Sequence, residues 1–78
     1  MKDKVVVVHW GDAFIDNDDF KLADAKDTKP VYRRTVGFLL AKNQHGHVLC
    51  TDLYDDTPEA ASKMFIPKGM ITKVEVLK

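Results

Sequence analysis

Four consecutive valines, Val5 to Val8, followed by His9 and Trp10, constrain what this chain can fold into more than any other feature. β-Branched side chains are stiff about χ1 and favour the pleated backbone. Successive residues of a strand point to opposite faces, so a run that is apolar at both parities suits a strand largely covered on both sides. Residues 5–10 are therefore expected to form the first strand, with Gly11-Asp12 ending it. The same run stops at His9, which is too short for a signal core or a membrane span. A cytoplasmic protein with no membrane partner is expected.

Two further stretches read as strands, residues 31–41 and 47–53, joined by a hairpin turn at Asn43-Gln44-His45-Gly46 in which Gly46 supplies a positive φ. In the first of them Val36, Phe38 and Leu40 alternate with Thr35, Gly37 and Leu39. Thr57-Pro58 reads as a helix start, cap then first turn, leading a short helix over residues 59–63. A short strand over 64–66, a 3₁₀ corner at Pro67-Lys68-Gly69 and a last strand over 71–77 complete the pattern. Residues 11–30 hold six aspartates and form a long acidic connection, in which residues 20–26 can make about two helical turns behind an aspartate cap. Phe14, Ile15, Phe20 and Leu22 are expected to tuck that connection onto the body.

Strand, long loop, strand, tight turn, strand, short loop, short strand, 3₁₀ corner and strand is the element order of Src-homology-3-like and Sm-like barrels. The expected fold is accordingly mainly β: one domain over residues 1–78, a small five-stranded barrel with a long acidic first loop. At 78 residues a single apolar core only just offsets the conformational entropy of the chain, so self-association into a homo-oligomer is expected to help.

Twelve basic and twelve acidic residues cancel, seven against seven in residues 1–34 and five against five in 35–78. Binding driven by neutralising many phosphates calls for a basic excess or stripe, and the chain has neither. The lone Cys50 precludes an intrachain disulfide and reads as a buried, inert thiol. His45 and His47 flank the turn glycine and His9 ends the first strand, without a carboxylate or thiol at ligand spacing, and are read as exposed turn histidines in the case of the first two. Asp12, Asp16, Asp18 and Asp19 fail the calcium-loop pattern, because Phe20 and Lys21 stand where an oxygen ligand and a glycine are needed. No nucleophile, base and orienting group can be assembled, so no catalytic residue, metal or cofactor is assigned.

Two binding surfaces compete. Trp10 with Asp12, Asp16, Asp18 and Asp19 combines an amphipathic anchor with an acidic loop, a combination suited to a protein partner. Tyr32, Arg33, Arg34 and Lys68 combine a stacking ring with forked and point cations, suited to a nucleotide or single-stranded RNA.

The segments Val7-Val8-His9-Trp10-Gly11-Asp12-Ala13, Arg34-Thr35-Val36-Gly37-Phe38-Leu39-Leu40 and Ile66-Pro67-Lys68-Gly69-Met70-Ile71 resemble the three landmarks of a set of small uncharacterised phage and prophage proteins. The pattern spans nearly the whole chain and departs in the acidic loop, where Phe20 stands in place of a second tryptophan. It implies a phage-encoded protein in the host cytoplasm and carries no activity. A looser resemblance, through Gly37, Asn43 and Leu49 and then Ile66, Lys68 and Gly69, is to Sm-like proteins, whose barrels form rings on single-stranded RNA. The first likeness implies an accessory module that binds a host protein; the second implies an oligomeric RNA binder.

Overall fold

A computed structural model describes residues 4–77. Among them are seven strands: β1 (Val5–Asp12), β2 (Val31–Asn43), β3 (Gly46–Cys50), β4 (Asp52–Leu53), β5 (Ala60–Ala61), β6 (Met64–Pro67) and β7 (Ile71–Val76). Five of them form one antiparallel sheet in the order β6-β3-β2-β1-β7, and β4 pairs with β5 in a separate two-stranded ladder. The chain is mainly β, as the alternation requires. Among the described residues no ladder joins β6 to β7, so the sheet is open and not a closed barrel.

The four valines explain the centre of the sheet. β1 lies between β2 and β7, with Val6 opposite Gly37 and Val76, and Val8 opposite Thr35 and Val74. Val6 and Val8 are fully buried, whereas Val5 and Val7 on the other parity are only half-buried. The core is the cluster Val6, Val8, Trp10, Leu49 and Ile66, flanked by Leu39, Met64, Ile71 and Val74. It is a small core in a long molecule. The radius of gyration is 16.1 Å and the longest extent 55 Å, against about 11.5 Å for a compact chain of this length.

The β2–β3 hairpin closes through two residues, Gln44 and His45, and the Asn43 side chain organises it by accepting hydrogen bonds from the backbone N–H of His45 (2.8 Å) and Gly46 (3.2 Å). Gly46 adopts φ +157° and sits against the carbonyl of Ile66. The expected 3₁₀ corner is present as Lys68–Met70, its backbone N–H of Lys68 bonded to the His45 carbonyl at 2.9 Å.

Several expectations are corrected. β1 does not stop at Gly11, because Gly11 and Asp12 still pair with Tyr32 and Val31. The third strand breaks at a bend at Thr51, after which Asp52–Leu53 leaves the main sheet to pair with β5. Residues 59–63 form no helix: Ala60 and Ala61 are extended and Ser62 takes φ 62°, a left-handed turn that ends any right-handed helix. Five residues give too little length to repay helix nucleation, and pairing with Leu53 offers the backbone a better partner. Residues 20–26 form a 3₁₀ turn at Leu22–Asp27, which has no side-chain cap and buries no residue. With no apolar stripe packed against the body, nothing favours two full α-helical turns there. For the same reason Phe14, Ile15, Phe20 and Leu22 do not tuck down. Ile15 and Leu22 are 88% and 85% exposed, and Phe14 and Phe20 are also exposed.

Candidate functional site

The end of β1, the 13–30 connection, the start of β2 and the 69–72 corner enclose a groove of about 840 Å³. Its apolar lining comes from Phe14, Phe20, Tyr32 and Met70, all of them exposed at its surface. Asp12, Asp16, Asp18 and Asp24 also line it, against Lys29 as the single cation among the lining residues. Asp16 Oδ1 accepts the backbone N–H of Asp18 at 3.0 Å, a short turn that holds these two carboxylates on the same stretch of the loop. Volume and composition fall within the range of sites that take an extended or amphipathic ligand, apolar over most of the surface with a few polar groups to orient it.

The candidates separate. Asp12, Asp16, Asp18 and Tyr32 come together in this groove, whereas Asp19, Arg34 and Lys68 are not part of its lining. Arg33 Nε pairs with Asp12 Oδ2 at 2.9 Å, so this arginine is engaged by the end of β1. Arg34 pairs across the sheet with His9, one strand position away from Arg33 and so on the opposite face. Of the cationic set, Tyr32 and Arg34 share one face of β2, Arg33 points to the other and is engaged by Asp12, and Lys68 lies outside the groove lining. Trp10, read as a candidate anchor, is 7% exposed and belongs to the core, where its indole N–H donates to Thr35 Oγ1 at 2.9 Å. The burial that makes Trp10 a core residue removes it from any contact surface. Phe14, Phe20 and Met70 line the groove without having been read as contact residues. For Phe14 and Phe20 the signal is present as apolar side chains inside an acidic run, expected to be buried and instead facing the opening, whereas Met70 lies outside that run and carries no such signal.

The histidines take no part in the groove. His9 Nε2 and Glu75 Oε1 lie 2.6 Å apart, and the hydrogen bond from His9, helped by the charge of Lys73, holds the Glu75 carboxyl below its usual range. His47, expected at the surface of the turn, is buried, and its Nδ1 has no hydrogen-bond partner. Burial, then the charge of Lys42, lowers its pKa from 6.5. The folded state refuses a proton that the unfolded chain accepts below pH 6.5, so stability is complete above that value and is lost as pH falls towards the lower folded pKa. Urea unfolding at neutral pH and at about pH 5 should show this loss in the wild type and a smaller one in His47→Leu. An equal loss in both would exclude His47 as its source. Among the described residues there is no group of three or more His, Cys, Asp or Glu side chains placed to hold a metal ion. Cys50 is buried, as its setting within an apolar strand implied. Among the described residues no helix is long and apolar enough to cross a membrane.

No protein-family model, curated protein or solved structure matches this chain.

Proposed function

We propose that the protein is a non-enzymatic interaction module whose groove receives a basic, apolar-bearing segment of a partner protein. The observation that carries the proposal is the pairing of an aromatic and thioether lining with an excess of aspartates over lysine in one concave surface. Phe14, Phe20, Tyr32 and Met70 offer apolar area and ring faces for cation–π contact, and Asp16, Asp18 and Asp24 supply the opposite charge. Arg33 offsets Asp12, which removes Arg33 from the cationic alternative and leaves Asp16, Asp18 and Asp24 against Lys29 in the groove. In keeping with the resemblance to phage-encoded proteins, the partner in this proposal is a host protein. The strand order, with a 3₁₀ turn between the two edge strands, supports an opened relative of the Src-homology-3-like layout as its scaffold.

Titration of the chain with labelled peptides that alternate lysine or arginine with leucine tests the reading, using acidic peptides of the same spacing and short oligonucleotides for comparison. The basic peptides should bind in a salt-sensitive way. The triple variant Asp16→Asn/Asp18→Asn/Asp24→Asn should weaken them by about tenfold at low salt, the sum of three exposed charge pairs. Unchanged affinity in that variant, or preference for the oligonucleotides, would exclude the groove as an acceptor of basic segments and bring forward the RNA or nucleotide reading.

A further inference from the structure

We infer that the face of the main sheet opposite the core is a contact surface for a second copy of this chain, joined about a two-fold axis. Tyr32, at the groove, shares this face beyond Arg34, but the apolar band itself lies outside the groove lining, and the inference does not rest on what the groove binds.

Strand register defines the face. Val6, Val8, Leu49 and Ile66 point into the core, so residues of the other parity on the same strands point away from it. Val7 stands opposite Val36, Val5 opposite Phe38, Phe38 opposite Cys50, and Val48 opposite Phe65. Leu77 extends the same face beyond β7, its N–H bonded to the carbonyl of Val5 at 2.8 Å. An apolar band thus crosses β6, β3, β2 and β1 on the face opposite Val6, Val8, Leu49 and Ile66, with Cys50 buried within it, and meets Lys73 and Glu75 on β7. Val36 at its centre is 56% exposed, and Phe65 and Leu77 are each about half exposed. A single-layer antiparallel sheet with one wet face reads as apolar-in and polar-out, and the four valines of β1 break that rule.

Two observations select a second copy as the occupant. The first is the size of the core. Five clustered apolar side chains are little for 78 residues, and domains this small commonly complete their burial by oligomerising. The second is the placement of charge. The band is uncharged at its centre, and the cross-strand row His9, Arg34 and Lys73 lies at one end, beside Glu75. A two-fold axis through Val36 and Phe38 carries the basic row of one copy to the far end of the band on the other, so like charges do not meet. A basic or an acidic partner would find no matching charge at the centre. Three interstrand spacings make the band roughly 14 Å wide, and a facing sheet would pack about 10 Å away.

Light scattering and sedimentation equilibrium of the whole chain test the inference. The wild type should be a dimer at high concentration that dissociates on dilution. Val36→Lys should raise the dissociation constant on the order of a hundredfold by stranding a charge in the contact, with an unchanged circular dichroism spectrum because the site is exposed in the monomer. Val36→Thr, which keeps the shape and adds a hydroxyl, should weaken the dimer by a smaller factor and serves if the lysine variant fails to fold. A wild type that stays monomeric to near-millimolar concentration, a dimer indifferent to both substitutions, or a dimer disrupted only by the Asp16/Asp18/Asp24 variant would overturn it.

Discussion

Gly46→Ala is expected to leave the protein largely unfolded at room temperature. A β-carbon there would lie 2.1 Å from the carbonyl oxygen of Ile66 and 3.0 Å from both the carbonyl carbon of Ile66 and Cζ of Phe65. Two of these three atoms are backbone, so no rotamer change relieves the overlap. The register that creates the contact is set by β3–β6 pairing, Gly46 opposite Pro67 and His47 opposite Ile66. The strain of an L-residue at φ +157° adds to the clash, and together they give a loss on the order of 4 kcal/mol. That is comparable to the whole stability of a domain of this size. Gly69→Ala provides the contrast, since nothing lies within 4 Å of its added carbon; it should change stability by less than about 1 kcal/mol. Far-ultraviolet circular dichroism during urea unfolding of the two variants measures both. A Gly46→Ala protein as stable as wild type would show that β6 does not hold this register.

Trp10→Ala should be similarly damaging, by about 3–5 kcal/mol. The indole is the largest side chain in a core of five, and its loss opens a cavity between β1 and the Ile71 end of β7. The hydrogen bond to Thr35 Oγ1 allows packing and polarity to be separated. Trp10→Phe keeps much of the ring and loses the N–H, so it should cost a part of the alanine loss. Thr35→Val keeps the shape and leaves the indole N–H without its acceptor, for a loss of about 1–3 kcal/mol. Urea unfolding followed by circular dichroism reads all three. A stable Trp10→Ala protein would contradict the assignment of Trp10 to the core and restore it as a surface anchor.

The sheet was legible where sequence pattern and backbone chemistry agree. The valine run, the alternation about Val36 and Phe38, the Asn43–Gly46 turn and the 3₁₀ corner after Pro67 all appear in chain order. Closure was not legible, because it depends on how two edge strands curve towards each other, and no local pattern encodes that distance. The helix expected after Pro58 failed because capping residues describe where a helix can begin and are silent on whether its next residues have a better extended partner, here Leu53.

The site was half legible. Acidity located the loop, and Asp12, Asp16, Asp18 and Tyr32 do converge on one groove. Parity was the missing information for the rest: one residue's shift along β2 sends Arg33 towards Asp12 and Arg34 to the opposite face. Trp10 was ambiguous in the same way. An amphipathic ring at a strand end can be anchor or core, and only the register with Thr35 and Ile71 decides it.

The pairing of β1 with β7 has a consequence for the birth of the molecule. β1 has its second partner in β7, Val6 against Val76, so the two strands are made far apart in time. Until β7 has been made, one edge of the valine strand presents unpaired N–H and C=O groups together with side chains that are apolar on both faces. Such an edge templates adventitious strand addition by any neighbouring chain. The strand that organises the finished sheet is thus the one that most needs shelter during translation, until β7 follows it.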